Sequence, residues 1–206
     1  TQALSYSEMT LFGSSGRWSI NEAETIEQFL PLREDIGRLA LASYFAEALE
    51  SVSDEDSPSP AVLQLGLNSL FALSRSMYAP EHIKAVFEFR LMCISGFEPE
   101  LYACSACGNE PEDALLSLTG GVVHCRGCVP GACGVSLPVS PAVMLALRYI
   151  SAAPAKKVFS FELDAGDEKQ LGGIAEAYMT TQLERSFGAL DYWKSLSAAV
   201  VKPDGE

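Results

Sequence analysis

Two C-x-x-C pairs, Cys104/Cys107 and Cys125/Cys128, bracket residues 108–124 near the middle of the chain. A C-x-x-C turn offers two thiolates to one ion, and two such turns complete a tetrahedron of soft ligands. A spacer of about 15–20 residues is typical of zinc sites built this way. Whatever else the chain does, it must bend so that Cys125 and Cys128 return to Cys104 and Cys107.

The spacer has the pattern for that return. "ALLSL" and "GVVHC" flank Thr119-Gly120-Gly121, which predicts a β-hairpin with a glycine turn. Gly108, directly after Cys107, lets the first turn tighten until backbone N–H groups reach the sulfurs. A redox C-x-x-C opens a helix in a thioredoxin-like unit, and neither pair does. With cysteine at all four positions no coordination site is open to water. The expectation is one structural Zn2+ ion that stabilises a module over 102–130. His124 adjoins Cys125 as a weaker ligand candidate. Cys93 reads as a core thiol on a helix, and Cys133 as a spare thiol in a glycine-rich tail.

Composition narrows the class. Acidic residues number 27 against 14 basic ones, a net charge of −13. Such a balance repels phosphate backbones, so DNA binding would need a local basic face or a further segment. No apolar run reaches the ~18 residues of a membrane span, and nothing resembles a signal peptide. The expected setting is cytoplasmic and nucleoid-associated. The chain starts at Thr1 inside strand-like sequence, so a longer N-terminal domain is expected.

Residues 4–12 alternate and read as a strand. "GSSG" is a turn, and "RWSINEAETIEQF" reads as a second strand. Helical spacing then takes over. The first helix is expected over 32–49, with Ile36, Leu39, Ala40, Ser43, Tyr44, Ala46 and Leu49 inward. The second is expected over 60–77, with Leu63, Leu67, Leu70, Phe71 and Leu73 inward, and the third over 80–95, stopped by Gly96. Further helices are expected from Pro141 to Ile150, from Asp167 to Phe187 and near 190–200. "VFSFELD" is too short and mixed to assign. No catalytic constellation is present: the two histidines are His82 and His124, and there is no G-x-S-x-G, P-loop or G-x-G-x-x-G.

The order "FEFRLMCISGFEPELYACSACG", a Gly-Gly hairpin, then "HCRGC" resembles the RecO family of bacterial recombination mediators. "FLPLREDIGRLALASYFAEALE" is similar to that family's first long helix, and "ERSFGALDYWKSL" to its C-terminal helix. The resemblance spans nearly the whole chain. It implies a mainly α fold: a helical domain over 31–206 with an inserted four-cysteine zinc module, preceded at 1–30 by the last strands of an N-terminal OB-fold β-barrel. It also implies a non-enzymatic mediator that binds single- and double-stranded DNA mainly through the barrel, works with RecR, docks the acidic C-terminal tail of SSB, and indirectly loads RecA.

An acidic, apolar-tipped tail needs an apolar groove with a cation at its rim. Lys84 and Arg90 beside the third helix are the expected rim, with Arg38 and Arg75 nearby. Lys156-Lys157 is the one adjacent basic pair. A second reading is a zinc-stabilised protein–protein adaptor with no direct DNA binding, which the acidic charge favours. A third, an enzyme with an accessory zinc of the sirtuin type, needs a glycine-rich nucleotide entry and a catalytic histidine, and neither occurs.

Overall fold

The computed structural model describes residues 2–14, 16–54, 57–128 and 134–200, of which 197–200 are described by backbone alone. Cys133 lies outside the described residues. The chain opens with an antiparallel ribbon, β1 (Tyr6–Ser14) and β2 (Arg17–Glu27). Leu11 pairs with Ile20 and Met9 with Ala23, so one face of the ribbon is apolar, and it is open to solvent. Trp18 is 76% exposed and lies over Gly13, where a Cβ would come within 2.7 Å of its ring.

Helices make up most of the rest. α1 (Ile36–Val52) is capped by Asp35, which accepts from the Arg38 amide. α2 (Pro60–Ser74) is capped by Ser59 and has Pro60 in its first turn. α3 (Pro80–Met92) runs into a wider turn over Cys93–Phe97, where Gly96 takes φ 92° and reverses the chain. α4 (Pro141–Ala152) is capped by Ser140, and α5 (Ala165–Leu183) by Asp164. α6 (Gly188–Val200) closes the bundle against α1.

α3 is the central element. It packs against α1, α2, α4 and α5, and from His82 to Met92 only Arg90 is less than fully buried. A helix enclosed on all sides has no solvent face for its charged residues, so these must pair internally. Lys84, only 5% exposed, lies 2.9 Å from Glu88 and 2.9 Å from Glu176 of α5. The Tyr44 hydroxyl of α1 donates to Glu88 at 2.6 Å, and Lys194 of α6 pairs with Glu176. One polar network therefore ties four helices together. Burial pushes the Glu88 carboxyl up to about 6, with Lys84 and Tyr44 opposing the rise. Burial alone would lower Lys84, but Glu88 and Glu176 outweigh it and hold the ammonium above its ordinary value.

Two inward faces differ from expectation. In α1 the buried set is Ala40, Leu41, Ala42, Tyr44, Phe45 and Ala48, while Ile36 is exposed. In α2 the buried set is Val62, Leu65, Gly66, Ser69, Ala72, Leu73 and Ser74. Leu63 is 51% and Phe71 44% exposed, so part of the leucine-rich stripe faces outward. The reason is close packing: a Cβ on Gly66 would lie 2.6 Å from the Leu49 side chain, so α2 turns its small residues toward α1.

Residues 153–164 carry no helix or strand beyond turns and form a strap over one end of the bundle. Side chains of the bundle grip its backbone. Arg90 donates to the Ala153 carbonyl at its start and to those of Ile150 and Ser151 at the end of α4. Asn68 reaches Ala155 O at 3.1 Å, and Tyr149 reaches Lys157 O at 2.7 Å.

Candidate metal centre

The four cysteines are carried by a small sheet. Its strands are β3 (Glu100–Cys104), β4 (Leu115–Ser117), β5 (Val122–His124) and β6 (Ser136–Pro138), ordered β3-β5-β4-β6. β4 and β5 form the expected hairpin, in which Gly121 takes φ 61°. β3 then lies parallel to β5. Cys104 ends β3 and Cys125 directly follows β5, so parallel pairing places the two C-x-x-C turns at the same edge.

Each turn is closed by its own backbone. Gly108 N donates to Cys104 O at 2.8 Å with Gly108 at φ 76°, and Cys104 N donates to Asn109 O at 2.7 Å. In the second turn Cys128 N donates to Cys125 O at 2.9 Å. All four Sγ atoms lie within 4.8 Å of one another. Cys107 Sγ and Cys125 Sγ are 3.9 Å apart, a contact distance and not a disulfide bond. Tetrahedral coordination at about 2.3 Å per bond sets neighbouring sulfurs roughly 3.8 Å apart, so the donor set fits one metal ion.

The electrostatics of the bare cluster are uneven. Backbone amides of Cys125, Cys107 and Ala106 point at Cys104 Sγ and bring its thiol down to about 6. Cys128 goes the other way, pushed up to about 12 by sharing a proton with Cys107, by burial, and by the charge of its neighbours. For Cys125 the Glu112 backbone favours the thiolate, but burial and the adjacent sulfurs outweigh it and the thiol is raised. Four thiolates cannot coexist here without a cation between them.

The other thiols and candidates are placed as follows. His124 is buried and hydrogen-bonds Ser105 Oγ through Nδ1 at 3.0 Å, outside the sulfur cluster. Cys93 is half-buried against the core, and burial raises its thiol to about 12.

The two residues expected at the cationic rim are engaged within the protein. Lys84 is enclosed by its two carboxylates, and Arg90 is spent on the carbonyls at the end of α4. Both turn inward because α3 is surrounded. The outward cations on this side are Arg75, Lys156 and Lys157. Arg75 stacks over the Phe71 ring at 5.6 Å, and Lys156 lines a cavity of about 220 Å³ with Phe71, Met77, Tyr78 and Phe159. The basic pair was visible in the sequence; its nearness to α2 was not, because residues 75–155 lie between them.

A bundle around a buried central helix, with a parallel strand pair presenting four thiols at its edge, defines a helical domain with a four-cysteine cluster that could hold a metal ion. The family described as "Recombination protein O C terminal" matches residues 33–191, and the chain belongs to that family. The "DNA repair protein RecO" of Acetivibrio thermocellus is 34% identical over 197 residues, covering 95% of this chain and 78% of that protein. The protein of the same name from Alkaliphilus metalliredigens is 27% identical, covering 95% of this chain and 80% of its own length. That of Dehalococcoides mccartyi is 29% identical over 203 residues, covering 94% and 76%. No described helix is long and apolar enough to cross a membrane.

Proposed function

We propose that this chain serves DNA repair as a non-enzymatic RecO-type mediator, holding an SSB tail, RecR and DNA together so that strands anneal and RecA is loaded. Family membership supports the repair role. In this reading the four-cysteine site holds one structural zinc, which keeps the module folded and performs no chemistry. Residues 1–30 belong to an OB-fold barrel and 31–206 to the helical domain. The solvent-exposed apolar face of the ribbon, bearing Met9, Leu11, Trp18 and Ile20, supports the barrel, because an isolated two-stranded ribbon is marginal in water. DNA contacts fall to that barrel and not to the acidic helical domain.

The observation that carries the tail-docking part is the groove between α2 and the strap. Its lining is mostly apolar, Lys156 is its cation, Arg75 stacks on the Phe71 ring that forms part of its wall, and Met77 is 53% exposed. In a chain of net charge −13 this is where an acidic peptide with an apolar end meets favourable charge. The test is fluorescence anisotropy with a labelled SSB tail peptide at low and moderate salt. Saturable, salt-sensitive binding is expected, and absence of binding at both salts overturns the docking reading. The net charge also favours a second reading, an adaptor that meets proteins and never DNA. Retained peptide binding with no annealing by a chain that includes a barrel would select it.

A further inference from the structure

The strap that forms one wall of the groove is held by a histidine whose two ring nitrogens both face acceptors. His82 opens α3 and is buried. Its Nδ1 lies 3.1 and 3.2 Å from the two carboxylate oxygens of Glu168 in α5. Its Nε2 lies 3.1 Å from the carbonyl oxygen of Phe159 in the strap. The ring sits between Phe161 at 4.8 Å and Tyr78 at 5.5 Å, centroid to centroid. Glu168 from α5 is thus the charged group bonded to it, the Tyr78 phenol the titratable ring beside it, and Phe159 and Phe161 the strap's contribution.

A neutral imidazole has one N–H and one lone pair. Against a carboxylate and a carbonyl, the lone pair of either tautomer meets an acceptor. The imidazolium donates to both and carries the charge that Glu168 complements. Histidine is the side chain that changes charge between about pH 5 and 8. Phe159 and Tyr78 both line the groove, and Lys156 sits three residues before Phe159 in the same wall.

We propose that His82 is a proton-dependent clamp on the strap 153–164, and that its protonation sets the shape of the acidic-peptide groove. The peptide part rests on the docking function proposed above; the clamp does not. With the proton bound, the strap is pinned to α3 and α5 through one ring. As pH rises and the proton leaves, either the Glu168 or the Phe159 bond is lost and the wall loosens. The clamp is tightest at low pH and weakens upward, because only the ring with both nitrogens protonated donates to Glu168 and to the Phe159 carbonyl at once.

The clamp is read by amide hydrogen exchange of residues 155–161 at pH 6 and 8.5, corrected for intrinsic exchange. Protection is expected to fall roughly tenfold, the worth of one charge-assisted hydrogen bond. In Glu168→Gln, whose side chain accepts from or donates to a neutral ring, the pH-dependent change is expected to vanish. Unchanged protection in the native chain, or an equal loss in Glu168→Gln, overturns the clamp. Tail-peptide affinity over the same pH range is expected to weaken several-fold in the native chain and to stay flat in Glu168→Gln. Peptide that fails to bind at either pH, with the exchange result intact, refutes the docking function and leaves the clamp standing. Affinity that ignores pH while exchange responds refutes the link between clamp and groove.

Discussion

The Lys84 ammonium lies 2.9 Å from the Glu88 carboxylate one turn further along α3, and both are sealed inside the protein. A buried pair of this kind contributes little net stability, but breaking it leaves an uncompensated charge. Lys84→Met is expected to destabilise the chain by about 3–5 kcal/mol in urea unfolding. The double variant Lys84→Met/Glu88→Leu is expected to recover most of that loss. A double variant no more stable than Lys84→Met counts against the pairing.

The same carboxylate gives a pH signature. Its folded value is pushed up to about 6 from an ordinary 4.5, so the folded chain keeps a proton that the unfolded chain has released. Stability from Glu88 therefore falls as pH rises through that window, by roughly 2 kcal/mol for a shift of this size. Unfolding midpoints of the native chain and Glu88→Gln at pH 4.5 and 6.5 check it. The native chain should lose stability relative to the variant as pH rises, and parallel behaviour would remove the assignment.

Metal dependence separates two kinds of cysteine. Cys104→Ser is expected to abolish stoichiometric metal, measured by mass spectrometry of the purified reduced protein, and to unfold the small sheet. Cys93→Ala lies outside the cluster and is expected to keep full metal content. It should lose only about 1 kcal/mol of stability, as small buried substitutions do. Metal retained in Cys104→Ser would refute the four-thiol site.

The groove separates charge from shape. Arg75→Glu alters an exposed residue and is expected to leave the unfolding midpoint within about 0.5 kcal/mol of native. It should weaken tail-peptide binding roughly tenfold at low salt and flatten the salt dependence. Phe71→Ala should weaken binding while keeping that salt dependence. Equal effects on both measures would mean the cation and the ring do not act as described.

The four-cysteine cluster could be read from spacing because a C-x-x-C turn is a local object, complete within a few residues of Cys104 or Cys125. Helix starts were readable for the same reason: Ser59-Pro60 and Ser140-Pro141 carry cap and first turn together. Other features depend on distant partners. β3 and β6 are short strands whose ladders are supplied by residues elsewhere in the chain. The inward face of α2 depends on the fit of Gly66 against Leu49. Lys84 and Arg90 are charged residues on an apolar helix, which reads as a solvent rim until Glu176 and the end of α4 are seen beside them. His82 carried no motif at all, since its acceptors lie 77 and 86 residues away.

The sheet order bears on how this domain can be engineered. β6 pairs with β4 although it follows the second cysteine pair, and β3 leads into the first, ending at Cys104 itself. The thiol cluster is thus stitched into the scaffold from both sides and is not a cassette running from Cys104 to Cys128. A graft of only that span into a cysteine-free relative would leave two frayed ladders behind. A transplant that works has to carry Glu100 to Pro138, with both outer strands.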